Sequence, residues 1–263
     1  MDKISTADEA MANVQDGAIV ATNFWGPGSP YYLWRALVAH GAKNLTICTN
    51  NYVPRPDALK EKGSSDPADL IDNTDRIIAA FAAIREGEAS SADEIIRRVK
   101  NGSLKFESMS HGILMDRLYA GAMKLGGFYS PIGIGTVVEE GKEKRTINGI
   151  EYLFEEPIAP DVGLIKATKA DKHGNLIYTG TARAANPMIA MASKYTIAEV
   201  FEIVEPGELD PEMIVTPGIF IDRIVKIPED SLESRTRRIE LVMERIKYRQ
   251  EREAEKLAER GVS

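Results

Sequence analysis

The sequence predicts an α/β fold: an open, mostly parallel sheet with flanking helices, extended at its C-terminus by a long charged helix. Three observations carry that prediction. Two continuous apolar runs of strand length, Ala18 to Thr22 and Leu45 to Thr49, are separated by a helix pattern. Such runs suit strands buried on both faces, and strand–helix–strand in that span makes a right-handed parallel unit. The composition then shifts at Ser231 to an almost wholly charged stretch.

Taken in order, Thr6 to Val14 reads as a short amphipathic helix with Ala10, Met11 and Val14 inward. The first strand runs into Asn23-Phe24-Trp25-Gly26-Pro27-Gly28, after which Ser29 and Pro30 supply an N-cap and a first-turn proline. That helix buries Leu33, Trp34, Leu37 and Val38 and stops at Gly41. The second strand leads into Asn50-Asn51-Tyr52-Val53-Pro54. Ile77 to Phe81 fits either a strand or part of a helix. Ala92 to Lys100 is a helix ended by Asn101-Gly102, Leu104 to Glu107 a strand, and Ile113 to Leu125 a helix closed by Gly126-Gly127. The stretch from Phe128 to Glu140 reads as loop. Val162 to Ala167 and Leu176 to Thr179 form a hairpin around Asp171-Lys172-His173-Gly174-Asn175. A helix from Ala184 to Lys194 and strands at Thr196 to Val204 and Gly218 to Val225 complete the domain, assigned to residues 1–228. Residues 229–263 are the extension, with sparse apolar positions and many i,i+4 ion pairs.

Composition excludes several classes of function. A formal charge of −7 and alternating Glu and Arg in the tail argue against nucleic acid as a partner. No run of eighteen apolar residues and no leader pattern are visible, so neither a membrane nor secretion is expected. The single cysteine, Cys48, lies inside a strand run, which suits a reducing cytoplasm. With three histidines and one cysteine, a Cys/His metal site is not expected.

The candidate site centres on Ser108-Met109-Ser110-His111-Gly112, where a strand turns into a helix. Ser110 caps the helix, Gly112 admits close approach of a ligand, and His111 stands at a helix N-terminus that favours negative charge. Parallel sheets place ligands beyond the carboxyl ends of their strands. Loops 23–29, 50–54 and 108–112 all follow strands in that sense and share one edge. Gly26-Pro27-Gly28 is not a dinucleotide fingerprint, because Tyr31 occupies the third glycine position and no acid closes the next strand.

These pieces together resemble the A (alpha) subunit of the family I CoA-transferases, the 3-oxoacid CoA-transferase group. The likeness is carried by Gly41 to Thr46 with Asn50-Asn51, Phe128 to Gly141, Asp171 to Asn175, Ala182-Arg183 with Asn186, and Ala198 to Asp222 including Thr216-Pro217-Gly218-Ile219. It implies a two-subunit enzyme, an A2B2 heterotetramer, with coenzyme A as substrate and no permanently bound cofactor. Acyl-CoA and a carboxylate exchange CoA through a glutamyl-CoA thioester whose glutamate lies on the partner, the B-subunit. On this chain the resemblance implies an oxyanion donor at His111, where the family usually has glutamine, worth roughly 3 kcal/mol. It also implies a substrate-binding set of Phe24, Trp25, Gly26, Gly28, Asn50, Asn51 and Gly112. The family's Gly-Gly before Phe24 is replaced here by Thr22-Asn23, and Trp25 and Pro27 are bulky for that loop.

Two other readings stand beside it. One is a CoA-transferase-like hydrolase opening the ring of a CoA-linked cyclic ketone, with His111 or Glu107 as general base. The other is a non-enzymatic ligand-binding module on the same fold, which predicts no second chain in the complex.

Overall fold

The apolar runs of the sequence become the central strands of a parallel sheet, because only strands covered on both faces can be apolar throughout. A computed structural model describes residues 3–24, 28–52, 67–81 and 90–231, with the side chains of 67–69, 81 and 90–93 not described. Trp25, Gly26 and the charged helix expected beyond Ser231 therefore lie outside the described residues.

In chain order the elements are α1 (Ala7–Met11), β1 (Ile19–Thr22), α2 (Tyr31–His40), β2 (Leu45–Asn51), β3 (Thr74–Phe81), α3 (Ser90–Lys100), β4 (Lys105–Ser108) and α4 (His111–Ala122). They continue with β5 (Phe128–Ser130), β6 (Lys144–Ile147), β7 (Ile150–Glu155), β8 (Val162–Asp171), β9 (Leu176–Ile177), α5 (Asn186–Ala192), β10 (Tyr195–Val204) and β11 (Arg223–Lys226). The main sheet runs β11-β10-β8-β1-β2-β3-β4, every neighbouring pair parallel, with β9 antiparallel on β8. β1 sits in the middle: the chain winds outward from it through β2, β3 and β4, and on its other side through β8, β10 and β11. This reversal of winding is where such sheets hold their ligands.

Alternation along the strands divides the core in two. On one face Val20, Ile47, Ile77 and Leu164 pack under α1, α2 and α3 with Leu33, Trp34, Leu37 and Ile95. On the other, Ala21, Cys48, Ile78, Ile165 and Ala198 pack under α4 and α5 with Ile113, Leu114, Leu118 and Ile189. A smaller antiparallel sheet, β5-β7-β6, is inserted after α4. Its β6–β7 turn is Asn148-Gly149, both with positive φ (52° and 81°), as a two-residue hairpin that follows the strand twist requires.

Several boundaries differ from the sequence reading. Ser29 does not cap α2: the N-cap is Pro30, no side chain bonds there, and the Ser29 hydroxyl is buried. The helix start is met instead by a carboxylate from across the fold, Glu199 on β10. Residues 128–130 form β5 rather than loop, because Phe128–Ser130 finds its pairing partner in β7, the second strand of the β6–β7 hairpin. The strand expected from Gly218 begins only at Arg223; Gly218–Phe220 is a turn of 3-10 helix. Ile77 to Phe81, open between strand and helix, belongs to β3, and α5 is shorter than expected at both ends.

Candidate active site

The carboxyl ends of β1 to β4 lie side by side, so the described residues that follow them, 23–24, 50–52 and 108–112, open on the same edge of the sheet. Neighbouring strands are about 4.8 Å apart, which separates β4 from β2 by about 10 Å.

His111 is the first residue of α4, and it is exposed together with Ser108, Ser110 and Gly112. Ser110 is the N-cap, its hydroxyl accepting from Ile113 N–H at 3.2 Å, as the sequence predicts. That bond uses one of the free N–H groups of the helix start and leaves the imidazole at the positive end of the helix dipole. A Cβ on Gly112 would meet nothing closer than Ser110 Oγ, 3.9 Å away. Nothing among the described residues therefore requires a glycine there.

Glu107 is not a free base. One carboxylate oxygen accepts from Arg117 on α4 and the other from Arg76 on β3. Burial by itself would raise its pKa, but the two guanidinium groups outweigh burial and hold it below the usual glutamate value.

The two asparagines part company. Strand alternation places Asn50 on the face covered by α4 and Asn51 on the face covered by α2. Asn50 Oδ1 accepts from Phe24 N–H at 2.9 Å, and Thr49 Oγ1 lies 3.3 Å from the same oxygen. Accepting from Phe24 N–H marks that atom as the amide oxygen, and the Asn50 NH2 keeps only donor capacity. Asn51 is 3% exposed, and its Oδ1 has no hydrogen-bond partner among the described residues. Phe24, expected in the substrate loop, instead packs into the core: its ring meets Trp34 edge-on at 4.4 Å and stacks on Tyr31 at 6.2 Å.

Gly28 is held by the other half of the sheet. Asn186, fully buried at the start of α5, donates from Nδ2 to Gly28 O and Ala182 O, both at 3.0 Å, and accepts from Lys166 N–H at 3.4 Å. A Cβ at residue 28 would sit 2.5 Å from Ala182 O, so only glycine fits. Below it, Glu199 Oε2 accepts from Leu33 N–H at 2.8 Å and its other oxygen lies 3.4 Å from Lys166 Nζ. A buried carboxylate thus neutralises the start of α2 and is itself paired. The β1 loop is consequently fastened on one flank by Asn50 and on the other by Asn186.

Arg117, Asn186, Lys166 and Glu199 were not among the expected site residues. Arg117 had a legible signal: it occupies an inward position of α4, in step with Ile113, Leu114 and Leu118, where an apolar residue belongs. Lys166 and Glu199 likewise interrupt apolar strands, in register with each other. Among the described residues no group of three His, Cys, Asp or Glu is placed to hold a metal, and no helix is long and apolar enough to cross a membrane.

Comparison with known proteins places this architecture. The family profile described as Coenzyme A transferase matches residues 4–227. The A-subunit of 3-oxoadipate CoA-transferase from Acinetobacter baylyi is 38% identical over 226 residues, covering 85% of this chain and 93% of the relative. The alpha subunit of acetate CoA-transferase from Escherichia coli is 36% identical over 224 residues, covering 85% and 96%. Among solved structures, the decarboxylase AibA/AibB superimposes with a TM-score of 0.69 at 26% identity, covering 88% of this chain and 86% of that one.

Proposed function

The chain belongs to the coenzyme A transferase family, and from that premise we propose that it is the A-subunit of a heteromeric CoA-transferase. It works with a B-subunit, as the relatives' names imply, in an A2B2 assembly in a reducing cytoplasm. The substrates are an acyl-CoA and a carboxylate acceptor. No cofactor is needed, since the chemistry is acyl exchange between carboxylates and a thiol.

The thioester carbonyl is attacked by a glutamate of the B-subunit, which expels CoA thiolate and leaves an acyl-glutamyl anhydride. The thiolate then attacks the glutamyl carbonyl, releasing the first carboxylate and leaving a glutamyl-CoA thioester. The acceptor carboxylate opens that thioester, and the thiolate returns to the new acyl group, restoring the glutamate. Each attack puts negative charge on a carbonyl oxygen. His111 donates a ring N–H to it from the start of α4, with the helix dipole adding to the field. Asn50, two strands away, donates its amide N–H to an oxygen of the acyl group, and the edge between them is the acyl pocket.

The observation that carries this reading is the exposed His111 at a capped helix start on the carboxyl edge of the sheet. Glu107 serves as support for the turn, since a carboxylate bonded to two arginines is a poor base; this counts against the hydrolase reading in its Glu107 form. The likeness to the decarboxylase AibA/AibB keeps one alternative, a decarboxylase on the same scaffold.

The experiment is to co-purify the complex, sequence the partner, and assay it with succinyl-CoA against acetoacetate, 3-oxoadipate and acetate. A partner carrying a nucleophilic glutamate, trapped as its CoA thioester, supports the transferase; a partner without one refutes it. His111→Ala should lower turnover by roughly tenfold to a thousandfold with assembly intact, and His111→Gln should retain more. Unchanged turnover in His111→Ala removes the oxyanion role; equal loss in both variants points to base catalysis.

A further inference from the structure

His111 lies inside a short closed segment. Glu107 at the end of β4 and Arg117 in the second turn of α4 are ten residues apart and form an ion pair across the base of the turn. The Arg117 side chain is 8% exposed, and each end of it is engaged. Its Nη1 reaches Glu107 Oε1 and lies 3.7 Å from Met109 Sδ; its Nε donates to Glu156 O at 2.6 Å and lies 4.0 Å from Glu155 Oε2. Glu107 is held from behind by Arg76 on β3, and Glu155 by Lys142 at 2.6 Å. The backbone joins in: Ile158 N–H donates to Arg117 O at 2.8 Å, and Met109 N–H to Ala79 O at 3.3 Å. One buried guanidinium thus ties β4, α4 and the end of β7 together, with His111 as the exposed crest of the loop it closes.

A planar guanidinium with a fixed fork orients what it binds in a way that an ammonium on a flexible stem does not. Its hydrogen bonds to the half-buried Glu107 carboxylate and to a carbonyl define the angle between β4 and the first turn of α4. That angle sets where the imidazole points. Misplacement of a catalytic donor by about 1 Å can cost a hundredfold in rate.

We propose that Arg117 is a positioning residue for the transfer reaction, stapling the turn through Glu107 and Glu156 so that His111 is aimed at the developing oxyanion. The proposal rests on the oxyanion role of His111. Arg117 is inside the protein and touches no substrate; it acts through His111 alone.

The test is a double-mutant cycle in the assembled two-subunit enzyme: His111→Ala, Arg117→Met and the double variant, with kcat and KM measured for succinyl-CoA. Arg117→Met should lower kcat roughly tenfold to a hundredfold with KM changed less than about threefold. In the His111→Ala background the same change should cost less than about twofold, because nothing is left to aim. Losses that multiply would overturn the positioning role and leave the oxyanion role standing. Unchanged turnover in His111→Ala would overturn the oxyanion role itself, and this proposal with it. Arg117→Lys keeps the charge but not the fork, so it should recover less than half of the lost kcat; full recovery refutes the staple. Should Arg117→Met fail to assemble, Glu107→Gln replaces it in the cycle. It keeps the side-chain shape and loses the ion pair, and the same non-additivity with His111→Ala is required of it.

Discussion

Replacing Gly121 by alanine sets two effects of opposite sign against each other. Alanine in a helix interior is favoured over glycine by roughly 0.5–1 kcal/mol. On propensity alone, Gly121→Ala strengthens α4. Its Cβ, however, would lie 2.0 Å from Ile158 O and 2.7 Å from Ile158 C, both backbone atoms with no rotamer to yield. Ordinary contact begins at 3.4 Å, so α4 and the 155–159 segment must separate by about 1.4 Å. That separation stretches the 2.8 Å bond from Ile158 N–H to Arg117 O past any useful length. Overpacking costs about 1–3 kcal/mol and a lost hydrogen bond about 1. The clash wins, leaving a net loss of about 1–3 kcal/mol. For a chain of this size each kcal/mol moves Tm by about 2–4 °C, so a fall of roughly 2–12 °C is expected. The assay is thermal unfolding followed by far-ultraviolet circular dichroism, at matched protein concentration and the same state of assembly as the wild type. An unchanged or raised Tm refutes the close docking of α4.

Gly112→Ala, in the same helix, should behave oppositely. With no neighbour nearer than 3.9 Å, its stability should stay within about 0.5 kcal/mol of wild type. Turnover of the assembled enzyme should nevertheless fall at least about tenfold, because the added methyl intrudes on the reacting group; wild-type turnover would remove Gly112 from the site. Cys48 offers a probe of a different kind. Complete burial pushes its thiol from 9.0 up to about 12, with nearby Arg117 and Arg76 too weak to offset desolvation. At pH 8 its labelling by a disulfide reagent should be about a thousandfold slower than in the denatured chain, since only the thiolate reacts. Rapid labelling of the native protein would contradict the buried strand position.

How much of this was legible in the residues depends on where the forces are local. The strands β1 and β2 and the caps at Ser110 and Gly41 announce themselves because hydrophobic runs and capping chemistry are short-range signals. The parallel pairing of β1 with β2 follows from them, whereas the places of β3, β4, β8, β10 and β11 are set by tertiary pairing. What escaped is what the tertiary fold decides. Phe24 reads as a loop residue by position, yet Trp34 and Tyr31, on the helix after it, draw its ring into the core. Ser29 has the chemistry of a cap, yet Glu199, far along the chain, reaches the start of α2 instead. β5 is too short to declare itself before β7 exists to pair with it. Arg117 was readable in principle, as a charge on the apolar stripe of α4, although its partners on β4 and after β7 were not.

The central place of β1 also bears on how the chain is made. Its contact with the β2 side closes a short loop, Phe24 to Asn50 being 26 residues apart. Its contact with the β8 side, Ile19 to Asp161, spans 142 residues. Closing the longer loop costs about 1.5 kcal/mol more in chain entropy, roughly a twelvefold disadvantage before any contact compensates. During synthesis the β1-to-β4 half therefore has its neighbours in hand while β8 is still inside the ribosome. Until residue 162 and its successors emerge, one edge of the middle strand presents unpaired N–H and C=O groups to any strand that passes. The half-made chain is thus at its most adhesive along the very strand around which the finished one is built.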